Sequence, residues 1–257
     1  MKKIITLSLC FCFSLSTSLA QESTEKLRNK GFENDSDAIE QLCMLYASKQ
    51  IPLDQEYMFW LIKWHEFEGE CAPSLYLLGA AYVNGIPALK VERNYPKALY
   101  YYQDYSFFRP GTSDENEYHW WEDTATMEKL SALWDRGYEP EPGNESKGQL
   151  LIVPESVKVS NIEISKGTTE YITLSVKNIG KGDVDFALVI ADIVGGASTY
   201  TIPTVSIPII RPGVTVPVVI PFSVDSTFSS GQKTVNVRIS DPRGRDSDSS
   251  KMTIVIK

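Results

Sequence analysis

Few residues of this 257-residue chain could do chemistry, and their spacing decides what they could do. His65 in "WHEFEGE" opens like the HExxH zinc motif, where two histidines on one helix face grip the metal and the glutamate serves as base. The second histidine is absent, so that metal geometry cannot form. His119 in "YHWWED" has Glu122 and Asp123 nearby, a set that admits an acid/base pair and equally reads as a partly exposed helix residue. No GxSxG elbow, phosphate loop or dinucleotide fingerprint occurs. "DPRGRDSDS" (241–249) holds three aspartates without calcium-loop spacing and reads as a hairpin turn. The expectation is a protein with no catalytic residues, no metal and no cofactor.

The cysteines lead to the compartment. Met1-Lys2-Lys3, the apolar run Ile4–Leu15 and the small-x-small Ser18-Leu19-Ala20 form a bacterial-style secretory signal, with cleavage expected after Ala20. Lipidation is the competing reading, from Cys10 and Cys12, but Leu9 stands where a small residue is wanted. No other stretch approaches the roughly 18 apolar residues of a membrane span. The expected location is therefore the periplasm or the exterior. Only Cys43 and Cys71 remain in the mature chain, and one disulfide is their simplest use in an oxidising compartment. It would stabilise by roughly 3–4 kcal/mol in the chain-entropy model. A metal pair or a catalytic thiol are the alternatives, and no CxxC supports either.

These residues must be positioned by two halves of different character. Residues 21–147 carry 23 acidic and 12 basic side chains, against 10 and 11 in residues 148–257. The acidic first half argues against nucleic acid, whose phosphates need a Lys/Arg surface. It suits a basic partner protein or a plain solvated surface. Before residue 140 the apolar residues recur at helical spacing; after it Val, Ile and Thr alternate with polar residues between turns. The expected organisation is a helical domain over 21–137, a Pro/Gly linker over 138–149 and a β domain over 150–257.

The helical half repeats. "SDAIEQLCMLYASK" (36–49), "APSLYLLGAAYVNG" (72–85) and "TATMEKLSALWDRG" (124–137) align without gaps. Cys43, Gly79 and Ser131 form a small-residue column, and Tyr46, Tyr82 and Trp134 an aromatic one. Gly79 sits on the stripe of Leu75, Leu78 and Tyr82, where glycine costs roughly 1 kcal/mol against alanine unless a second helix must come close. "DQEYMFWLIKWHEFEGE" (54–70) and "YPKALYYYQDYSFF" (95–108) supply second helices. Read from Ala72 through Gly79, Tyr82, Gly85, Lys97, Ala98, Tyr101 and Tyr102, the pattern resembles a Sel-one-like repeat, the longer-loop relative of the tetratricopeptide repeat. That resemblance implies an α-solenoid and a protein-interaction scaffold with no chemistry of its own.

The β half offers about seven strands: 150–158, 169–177, 184–191, 199–206, 215–223, 233–240 and 251–256. They predict an antiparallel β-sandwich of immunoglobulin or fibronectin type III kind. "LSVKNIGKGDVDF", "IRPGVTVPVVIPF" and "GQKTVNVRISDPRGR" resemble bacterial cell-adhesion-related immunoglobulin-like modules. The fold class expected is thus multidomain α plus β, a solenoid followed by a sandwich. Tyr76 and Val83 flank the buried stripe, with Met44 matching in the first repeat, and a partner lying across the helices would touch them. The aromatic stretch 100–123, including His119, Trp120 and Trp121, suggests either an interface or a sugar platform, or filler between helices. The leading expectation is an exported, non-enzymatic adaptor that binds another protein. The alternatives are a periplasmic immunity protein that neutralises a secreted effector and a binder of cell wall or carbohydrate. The sequence leaves the oligomeric state open.

Overall fold

The computed structural model describes residues 23–54, 56–68, 72–108, 128, 131–133, 135–141, 143, 145–195, 198–244 and 248–257. Helix α1 spans 23–32. It is followed by α2 (Ser36–Ala47), α3 (Tyr57–Glu68), α4 (Ala72–Asn84) and α5 (Tyr95–Phe108). Ten strands come next: β1 (Leu150–Ile152), β2 (Lys158–Val159), β3 (Glu163–Ile164), β4 (Thr169–Asn178), β5 (Val184–Gly195), β6 (Ser198–Thr201), β7 (Val205–Ile210), β8 (Thr215–Ser223), β9 (Gly231–Ser240) and β10 (Ser249–Ile256).

The strands form two sheets. In the smaller, β8 pairs along one edge of β4 while β1 and β2 pair successive stretches of the other. In the larger, the order is β3-β10-β9-β5, with β7 and β6 sharing the far edge of β5. Alternation explains the packing. Ile172, Leu174 and Val176 of β4 and Ile220 of β8 face Val189, Ala191, Val235 and Val237 of the larger sheet in one apolar cluster. Two sheets around a shared core are compatible with the immunoglobulin-like expectation for this half.

The solenoid expectation is overturned. The described chain is mainly β, with a few short helices at its N-terminal side and no run of stacked helical repeats among the described residues. The reason lies in where the helices bury their surface. Repeat pairs in a solenoid pack on the next pair. Here α2 to α5 pool their apolar residues in one cluster closed by Phe186, Leu188 and Ile190 of β5. The helices form a layer on the outer face of the larger sheet. Helix α3 is buried nearly all round, from Tyr57 to Trp64, as a helix enclosed on several sides must be. Ser131, which the alignment places in the buried small-residue column, is exposed. The Sel-one-like resemblance therefore fails as a statement of fold.

Local expectations fare differently. A Cβ at Gly79 would fall inside the Tyr102 ring of α5, so the glycine does permit a close helix approach. Helix α2 begins at Asp35, whose side chain accepts from the Ala38 amide at 3.0 Å. Arg28 of α1 ties down the loop after α2, with Nε 2.9 Å from Glu56 and an Nη atom 2.9 Å from Asp54.

Candidate functional site

A cleft of about 810 Å³ opens where the helical layer meets the β5–β7 edge of the larger sheet. The chain between α4 and α5 makes one wall. Gly85, at φ 69°, ends α4, and the Ile86–Val91 bridge folds residues 86–91 into a tight loop. The Asn94 amide then donates to the Tyr82 carbonyl at 2.9 Å, fastening the start of α5 to the end of α4. The Asn94 side chain caps α5 by accepting from the Lys97 amide at 3.1 Å, which sets Lys97 in the first turn. Lys90, Glu92 and Arg93 stand exposed on the rim.

The floor comes from an irregularity in β5. Ala187, Val189, Ala191 and Ile193 face the inter-sheet core, while Phe186, Leu188 and Ile190 face the helices. Regular alternation would send Val184 to the helices and Asp185 to the core. The opposite is found: Val184 is in the inter-sheet core and Asp185 pairs with Lys97. Phe186 has φ 55°, a left-handed conformation that costs a bulky residue about 1–2 kcal/mol. That turn reverses the phase, so two consecutive residues face the same way. The paired strand β7 reverses at the same rung, since Ile207 and Ile210 are buried and Ile209 is exposed. Pro208 stands opposite Phe186 in the β5–β7 register and has no amide hydrogen to give the ladder there. Asp185, Phe186, Pro208 and Ile209 all line the cleft.

Asp185 is the centre of the charge network. Its Oδ2 accepts from Lys97 Nζ at 2.8 Å and from the Tyr82 hydroxyl at 3.4 Å. Its Oδ1 lies 3.3 Å from Arg243, which also pairs with Glu66 of α3 at 3.2 Å. Lys97 makes a second ion pair with Glu145 and sits 4.6 Å from the Tyr82 ring centre. Arg243 reaches in from the β9–β10 turn, where Asp241 accepts from its amide at 2.9 Å. Side chains of Lys97, Asp185 and Arg243 are all under 10% exposed, at 6%, 5% and 8%.

Burial and pairing then compete. Burial alone would raise the Asp185 carboxyl, but Lys97 and Arg243 outweigh it and hold the carboxyl below its usual range. Burial likewise favours neutral Lys97, yet Tyr82, Asp185 and Glu145 together raise it. Asp183 at the cleft wall behaves differently. Burial, followed by repulsion from Glu145 and Asp185, raises its carboxyl. Asp185 and Lys97 are therefore held as a charged pair at neutral pH. Among the described residues no group of three His, Cys, Asp or Glu could hold a metal ion, and no helix is long and apolar enough to cross a membrane.

The residues singled out by sequence are not brought together here. Tyr76 and Val83 are buried in the helical core, so they do not line an open groove, and Met44 is half-buried against the same core. Cys43 is buried there too, while Cys71 lies outside the described residues. His119, Trp120 and Trp121 also lie outside them. Of the aromatic stretch, Tyr101 and Tyr102 are core residues, with Tyr101 stacked on Tyr82 at 5.9 Å. Sequence reasoning missed Lys97, Glu145, Asp185 and Arg243 as partners. One signal was available: Asp185 is one of two aspartates in the otherwise apolar run "VDFALVIADIV", where a charge that becomes buried needs a partner.

Comparison with known protein families gives no match, and comparison with curated proteins gives none. Among solved structures the chain is similar to a beta-glucosidase from Listeria innocua in complex with glucose (11% identity, TM-score 0.32), covering 42% of this chain and 16% of that one. It is similar to a CARDB domain from Pyrococcus furiosus (12% identity, TM-score 0.33), covering 44% of this chain and 92% of that one. It is also similar to a Niemann-Pick type C2 protein from Japanese carpenter ant (14% identity, TM-score 0.31), covering 45% and 96%. Similarity this low transfers no activity to the chain.

Proposed function

We propose that this is an exported, non-enzymatic protein-binding module whose cleft between helices and sheet holds a charged segment of another protein. One observation carries the reading: the base of the cleft is locked in ion pairs while its rim offers exposed charges of both signs. Lys90, Arg93 and Arg211 line the cleft together with Glu92 and Glu141, all exposed, and with Ile209, which is 51% exposed. A rim of mixed sign with an apolar shoulder suits a polypeptide better than a uniformly charged polymer. A locked base serves recognition, since it gives the site a fixed shape with little ordering cost on binding.

The test is co-purification from an exporting bacterium under native conditions. The reading expects a specific partner to be held by the wild type and by an outer-sheet variant, Val219→Glu, and lost from Arg93→Glu/Arg211→Glu. Equal retention by both variants, or its loss only with Val219→Glu, would move the binding face away from the cleft.

A further inference from the structure

We propose that the left-handed backbone at Phe186, set opposite Pro208, is the positioning device of the cleft: it turns two consecutive rungs of the β5–β7 ladder toward the helices. The functional weight of that device rests on the cleft being the binding site, but the device itself can be tested without a partner.

The two strands keep a constant register on both sides of the irregularity, with Asp185 opposite Ile209 and Ala187 opposite Ile207. No residue is inserted, so this is not a bulge of the two-against-one kind. The faces nevertheless exchange. Val184 and Ile210 are both fully buried in the inter-sheet core, and the next rung, Asp185 and Ile209, points outward with Phe186 and Pro208. A regular ladder would turn Asp185 to the inter-sheet face, with Ala187 and Val189, and away from Lys97 and Arg243. The reversal instead delivers its carboxylate to Lys97, Arg243 and Tyr82 at once. It also exposes Ile209 beside the rim. Pro208 lowers the cost of the reversal, because a proline at that rung has no ladder hydrogen bond to lose.

The Phe186 ring is itself 5% exposed and packs in the helical core, so ring and backbone must be separated. Phe186→Gly and Phe186→Ala both remove the ring, and they differ in tolerance of positive φ. In an ordinary strand the alanine variant would be the more stable. The inference expects the reverse: Phe186→Gly has the higher denaturation midpoint, and its Asp185 carboxyl still titrates below the usual range in a carbon-13 NMR titration. Phe186→Ala, and more so Phe186→Ile, shift that titration up toward the ordinary value. Should Phe186→Ile fail to fold, the glycine and alanine pair decides alone. A more stable alanine variant, or Asp185 titrating alike in glycine and alanine variants, would assign the positioning to the ring and overturn the inference. If the titrations follow expectation while partner capture is unaffected by Phe186→Ala, the device stands and the cleft is not the binding face.

Discussion

Asp185 takes hydrogen bonds and ion pairs from three different elements, so its removal leaves two buried cations facing a neutral group. Asp185→Asn is expected to cost about 3–5 kcal/mol in urea denaturation at neutral pH, the usual penalty for breaking a buried pair from one side. The pH dependence follows from the sign of the shift. A carboxyl lowered in the folded state contributes fully above its unfolded value, about 3.9, and loses that contribution as pH falls through the folded one. The penalty of Asp185→Asn should therefore shrink in strong acid. Lys63 makes the opposite case. Burial, then repulsion from Arg238, brings its ammonium down to about 8, although its Nζ donates to Asn34 Oδ1 at 2.7 Å and lies 4.6 Å from the Phe67 ring centre. A lysine lowered on folding burdens the folded state below that value, and the burden fades as pH rises toward the unfolded value of about 10.4. Stability of Lys63→Met relative to wild type should accordingly be greater at neutral pH than near pH 10, measured by denaturant titration at both.

At the scale of elements, α4 and α5 approach through Gly79, and the Tyr102 ring occupies the place a side chain would take. Gly79→Ala is expected to lose about 1–3 kcal/mol through overpacking, despite alanine's better helix propensity. A stabilised variant would mean the ring moves aside freely. This contact was legible in sequence because a glycine inside an apolar helical stripe has a local explanation. The long central strands were legible too: 169–177, 184–191, 215–223, 233–240 and 251–256 correspond to β4, β5, β8, β9 and β10. What the helices pack against was not. The spacing of Leu75, Leu78 and Tyr82 fixes a buried face but is silent on whether a helix or a sheet covers the far side of the layer. The eight-residue buried run of β5 held that information, since a strand covered on both faces loses its alternation. The phase reversal at Phe186 could not be read at all, because a positive φ at phenylalanine has no compositional mark. Charges at sequence positions 97, 145, 185 and 243 join only once the fold is closed.

Across the whole molecule, the helical layer and the larger sheet share a core and a buried charge network, and this has a consequence for separability. Phe186, Leu188 and Ile190 complete the helical cluster, and Arg238 lies 5.0 Å from the Phe32 ring. A fragment ending at residue 149 should keep helical far-ultraviolet dichroism while losing near-ultraviolet signal and binding a hydrophobic dye, as expected where tertiary packing is lost. A fragment with sharp near-ultraviolet bands would show that the helices stand alone. Whether the cleft between these layers receives a protein partner can be read by photo-crosslinking in the exporting cell. A crosslinking residue is placed at Arg93, at Ile209 and, on the opposite face, at Val219. A partner seated in the cleft gives adducts of one and the same protein from positions 93 and 209 and none from 219. Adducts from position 219 alone, or different proteins at 93 and 209, would contradict it.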